Sequence, residues 1–123
     1  MKINDITGKI LNAAYKVHSA LGPGLLESSY QACMKFELEK VGLQVELEKS
    51  LPLIYEEIRL DCGYRIDMLV EKEVIVEFKT VEEFTDVHIA QILTYLKLSK
   101  KSIGLLINFN TKSLKNGIKR VIL

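Results

Sequence analysis

No stretch of this sequence approaches the ~18 uninterrupted apolar residues that a membrane span requires, and the opening residues MKINDITGK lack the apolar core of a secretory signal. These absences point to a soluble protein, with the cytoplasm as the expected compartment. Cysteine is scarce: Cys33 and Cys62 show neither CxxC nor Cys/His spacing, so they read as reduced bystanders rather than zinc ligands. A net charge of +1 carries no global signal for a polyanionic partner. Internal repeats, linkers and low-complexity segments are missing as well. What remains is an ordinary globular balance, 48% hydrophobic and 27% charged, which excludes a disordered chain. At 123 residues the chain is a single domain, 1–123, able to bury roughly two-thirds of the surface its unfolded form exposes.

One further absence is local. No acidic residue follows Asp86, whereas residues 97–123 hold Lys97, Lys100, Lys101, Lys112, Lys115, Lys119 and Arg120. Such a segment either forms a positive surface for phosphate contacts or is a solvated basic tail.

Apolar residues recur at three- and four-residue steps from Ile3 to Leu21, which predicts an amphipathic helix ended by Gly22-Pro23-Gly24. A second helix is expected from near Leu25 to about Val41, with Gly42 suited to its C-terminal cap. Beyond Gly42 the period changes to two. Strands are predicted around Val45–Leu51 and Leu53–Leu60, with Pro52 as an interruption. Two clearer ones, Tyr64–Val70 and Val74–Val81, form a hairpin through Glu71-Lys72-Glu73. A third helix is expected from Thr85, as N-cap, to about Ser99. The apolar run Ser102–Phe109 fits a strand covered on both faces, and Val121-Ile122-Leu123 suggests a terminal one. The order α-α-β-β-β-β-α-β(-β) describes an α/β fold with a single mixed sheet flanked by helices.

The hairpin carries the chemistry. Strand alternation puts Glu77 and Lys79 on one face of their strand and Arg65 and Asp67 together on the preceding one, opposite Ile66 and Met68. A three-residue turn at 71–73 makes residues whose numbers sum to 144 partners, pairing Asp67 with Glu77 and Arg65 with Lys79. Two carboxylates set directly across a sheet repel, and at least one pKa rises unless a cation sits between them. Mg²⁺ or Mn²⁺ suits such oxygen donors, with the Phe78 carbonyl as a third ligand and Lys79 facing a nucleophilic water or a phosphate oxygen. The alternative is a solvated face of weak cross-strand ion pairs. Leu69, Ile75 and Val81 share that face, which favours partial cover and hence a site.

Within GPGLLESSY, Gly24, Glu27 and Tyr30 spell the pattern that names the GxxExxY proteins, and YRIDMLVEKEVIVEFKT, HIAQILTYLKLS and GLLINFN are similar to the same family. The chain resembles that family, a small-domain branch of the PD-(D/E)XK nuclease superfamily, from about Ile3 to Leu123. The resemblance implies a restriction-endonuclease-like core, with Asp67, Glu77 and Lys79 as the aspartate, variable acid and lysine of the superfamily pattern. It also implies Glu27 as a helix-borne ligand of the metal or of a water, and Gln91 as a residue that orients Lys79 or binds phosphate. The implied activity is Mg²⁺-dependent hydrolysis of nucleic acid, DNA ahead of RNA.

Each flanking residue also has a plainer reading. Glu27 stands in the first turn of its helix, where its charge suits the dipole. Tyr30 either reaches a site carboxylate or packs as an aromatic. His88, Gln91 and Tyr95 share one face of the third helix, leaning over the site or facing solvent. His18 reads as a structural histidine. A nucleic-acid-binding or regulatory module without turnover, and a structural or oligomerisation domain, are the alternative functions. A 14 kDa domain has little surface to spare beside an active site, which leaves room for a homodimer.

Overall fold

The computed structural model describes all residues, 1–123. Helix α1 spans Ile3–Leu21 and buries Ile6, Ile10, Ala13, Ala14 and Val17 along one stripe, as its periodicity requires. Gly22 ends it at φ +67, a left-handed conformation that glycine adopts without a Cβ penalty. Helix α2 spans Glu27–Lys40, two residues later than the apolar pattern suggests. The delay comes from Tyr30, whose hydroxyl donates to the Gly22 carbonyl (2.6 Å) and accepts from the Leu25 N–H (3.1 Å). That clamp holds residues 22–25 as a loop.

Strands β1 (Val45–Ser50), β4 (Arg65–Val70), β5 (Val74–Lys79), β6 (Ile103–Asn108) and β7 (Ile118–Ile122) form one sheet in the order β1-β4-β5-β6-β7. Only β5 and β6 are parallel, because α3 (Asp86–Ser99) makes the crossover between them. The segment expected as one strand over 53–60 is a separate two-stranded ribbon, β2 (Leu53–Tyr55) and β3 (Ile58–Leu60), turning at Glu56 with φ +56. Apart from the partly buried Leu53 its residues are exposed, so it stands outside the single sheet that alternation suggested. The main chain joins it back through the Leu51 N–H and the Tyr64 carbonyl (2.9 Å).

Two cores cover the two faces of the sheet. The larger packs α1 and α2 on Met68, Val70, Val74, Val76, Phe78, Leu105 and Ile107; the smaller packs α3 on Leu69, Ile75 and Leu106. Gly104 permits the close approach of α3, since a Cβ there would lie 2.7 Å from the Ile92 Cδ1. The N-terminus of α3 is capped within itself: the Thr85 N–H donates to His88 Nδ1 (3.0 Å). His88 is thereby occupied with helix capping, a role that neither the site nor the solvent reading of its helix face included. His18 likewise has a structural partner, its Nε2 lying 2.7 Å from the Thr111 carbonyl oxygen.

Candidate active site

The β4–β5 hairpin turns through Glu71-Lys72-Glu73, with Val70 opposite Val74, Leu69 opposite Ile75 and Met68 opposite Val76. The next partners in this register are Asp67 and Glu77, as the turn length predicts. There the ladder stops, and the two side chains take over the bonding. The Asp67 N–H donates to Glu77 Oε2 (2.8 Å), and the Phe78 N–H donates to Asp67 Oδ2 (2.9 Å). Each carboxylate therefore satisfies a backbone donor on the opposite strand. The expected Arg65–Lys79 pairing is not made; Arg65 stays with β1, opposite Ser50, whose hydroxyl accepts from its guanidinium (3.3 Å).

Alternation also breaks at Asp67. Ile66 packs in the smaller core with Leu69, while Met68 packs in the larger one, so Ile66 does not share a face with Met68 as strict period two requires. The cause lies in β1, where Glu48 stands opposite Asp67 by register yet adopts φ +50 and drops out of the ladder. A local twist of this kind re-aims side chains beside it.

Glu77 is buried to 3% exposure. Burial first, and then the charge of Asp67, push its carboxyl up to about 8, although the Asp67 N–H and the Lys79 ammonium oppose the change. Asp67 is also shifted upward, by burial above all, with Glu48 and Glu27 adding to the effect. Tyr95 on α3 completes the buried side of the cluster, its hydroxyl pushed up by desolvation and then by the charges of Glu77 and Asp67. Lys79 follows on the same strand, and its Nζ donates to Gln91 Oε1 (3.3 Å), so the helix-borne glutamine meets the lysine as the resemblance implies.

Glu27 does more than suit its own helix. Its Oε2 accepts from the Thr80 N–H (3.1 Å), tying the start of α2 to the end of β5. No three His, Cys, Asp or Glu side chains are grouped as a complete metal cage, so Glu27 is not gathered with Asp67 and Glu77 into one cluster. The donor set nevertheless fits a hard divalent cation. Mg²⁺ is commonly held by one or two carboxylates and keeps several waters, and the adjacent Asp67 and Glu77 carboxylates supply oxygen donors of that kind.

Two polar residues around the site escape a reading of the sequence. Gln31 donates from Nε2 to the Asp67 carbonyl (2.8 Å) and to Glu48 Oε1 (3.0 Å), bridging α2 to the point where β1 and β4 separate. Its position four residues after Glu27 on one helix face is the available signal. Asn108, 2% exposed, holds the strand exit: its Oδ1 accepts from the Val81 N–H (3.2 Å) and its Nδ2 donates to the Val81 carbonyl (2.7 Å). A lone amide in the apolar run of β6 marks it.

A sequence model of the PD-(D/E)XK nuclease superfamily matches residues 4–121. Searches of curated proteins and of solved structures returned no match. The five-stranded mixed sheet with its flanking helices is that of a restriction-endonuclease-like fold. Because the match runs from the first helix through the last strand, and not over the hairpin alone, the chain belongs to the PD-(D/E)XK nuclease superfamily.

Proposed function

We propose that this protein, read as one of the GxxExxY branch, is a divalent-metal-dependent nuclease hydrolysing phosphodiester bonds in nucleic acid, DNA ahead of RNA. The observation that carries this reading is the buried, cross-bonded pair Asp67 and Glu77, with Lys79 held by Gln91 at its side. Asp67 and Glu77 would hold Mg²⁺ or Mn²⁺, joined by the Phe78 carbonyl, with Glu27 holding a water or a second ion. The bound ion supplies Lewis acidity and a water of lowered pKa. Lys79 neutralises charge on the phosphate as it develops, and Gln91 fixes the ammonium through its amide oxygen. Glu27 and Asn108 hold the backbone at Thr80 and Val81, which keeps the end of β5 in place while substrate binds.

The test is cleavage of single- and double-stranded DNA and RNA with Mg²⁺, Mn²⁺ or EDTA. Cleavage should require the metal, and Glu77→Gln or Lys79→Met should lower it by about 10²-fold or more. The nuclease reading fails if nothing is cut, or if these variants cut as well as the parent. Metal-independent binding without cleavage would make the chain a binding module instead.

A further inference from the structure

Beside the carboxylate pair lies a cavity of about 280 Å³ that the chemistry above does not use. Tyr64 and Leu53 form one wall, from the two chain segments that lead into the β2–β3 ribbon. Val87, Ala90, Tyr95 and Leu98 of α3 form the other. The Tyr64 and Tyr95 rings meet edge to face at 6.3 Å, and Tyr64 keeps 45% of its surface exposed, which leaves part of this aromatic residue open to a partner. Gln91 lines this cavity and also accepts the bond from Lys79, which makes cavity and site continuous.

The distribution of charge narrows the ligand. Lys72, Lys100 and Lys101 gather round a depression at the far end of the sheet, by the hairpin turn, and Arg120 donates to Asn4 on α1. None of these four cations lines the cavity. The loop leading to α3 carries Glu82 and Glu83 instead, and α3 itself opens on Asp86. A duplex keeps its bases stacked on one another and is tracked chiefly through its phosphates, whereas a single strand adds to its phosphate contacts the stacking of its bases on aromatic rings.

We propose that the cavity between Tyr64 and α3 takes an unstacked nucleobase next to the scissile phosphate, so that the substrate is single-stranded or locally unpaired nucleic acid. The inference rests on the nuclease reading, which places that phosphate at Asp67, Glu77 and Lys79. A base entering edgewise between Tyr64 and Val87 displaces water from an apolar wall, and Gln91 and Thr94 are polar side chains lining the cavity that its edge could meet. Binding should therefore depend on the presence of the base.

Binding can be read from the fluorescence anisotropy of end-labelled oligonucleotides, a signal that does not depend on which residue of the protein is replaced. Titrations in EDTA, where nothing is cut, would compare a short single-stranded oligodeoxynucleotide with an abasic strand of equal length and with a duplex. The base-bearing single strand should bind about tenfold more tightly than the other two. Tyr64→Ala should remove that preference, Tyr64→Phe should retain it, and Ala90→Trp, which fills the cavity from the helix side, should also remove it. Equal binding of all three probes, an unchanged preference in Tyr64→Ala and Ala90→Trp, or no binding at all would overturn the proposal. Base-dependent binding that survives alongside an absence of cleavage would uphold the pocket while rejecting the nuclease.

Discussion

Glu77 carries two opposed demands, since a carboxylate useful to a cation is costly to bury without one. In the metal-free protein its carboxyl sits at about 8 against an ordinary value near 4.5. Between those values the folded chain keeps a proton that the unfolded chain has lost, so stability falls as pH rises. The slope for this residue approaches about 1.4 kcal/mol per pH unit. Asp67, shifted in the same direction, contributes with the same sign. Melting curves in EDTA from about pH 5 to about pH 8 should show a falling Tm, and Glu77→Gln should flatten the fall; a parent Tm that rises across this window would contradict the burial of the acid. Tyr30 poses a simpler test. Tyr30→Phe keeps the ring stacked on Phe109 at 4.3 Å but removes both loop hydrogen bonds. Its cost, read from denaturant unfolding, should be about 1–2 kcal/mol. Cleavage should weaken too, because the start of α2 positions Glu27.

At the scale of elements, the site exists because two strands part at one register position. Met68 and Val76 still pair, and the next residues exchange side-chain for main-chain bonds. The left-handed backbone of Glu48 and the Gln31 amide hold the gap open from the β1 side. Helix α3 must then lie close enough to the sheet for Gln91 to reach Lys79, and Gly104 sets that distance. Gly104→Val would drive a side chain into the buried Ile92 and against the Ile75 carbonyl. The expected loss is about 1–3 kcal/mol of stability. Lifting α3 also separates Gln91 from Lys79, so cleavage measured under conditions where the variant is folded should fall as well.

For the whole molecule, metal binding, folding and proton release are linked. A cation prefers the ionised Asp67–Glu77 pair, so its affinity rises with pH through the window in which the metal-free chain loses stability. Mg²⁺ should therefore raise the Tm more near pH 8 than near pH 5, by the equivalent of about 2.7 kcal/mol at a hundredfold excess over its Kd. Calorimetry of the Glu77→Gln variant should show little of this gain. A stabilisation independent of both pH and Glu77 would place the ion elsewhere.

The helices α1 and α3, the 71–73 turn and the 144-sum register could all be read along the chain, because period, capping and turn length are local properties. The placement of Asp67 across from Glu77, with Lys79 two residues on, was legible for the same reason: two strands joined by a short turn have few registers open to them. Tertiary contact decided the rest. Tyr30 delays α2 by binding a loop eight residues back, and His88 turns inward to cap its own helix. The 53–60 segment leaves the sheet as a ribbon, and Ile66 changes face because Glu48, distant in sequence, twists beside it. Alternation tells which residues share a face only while the ladder is regular, and at Asp67 the ladder gives way to the side chains that form the site.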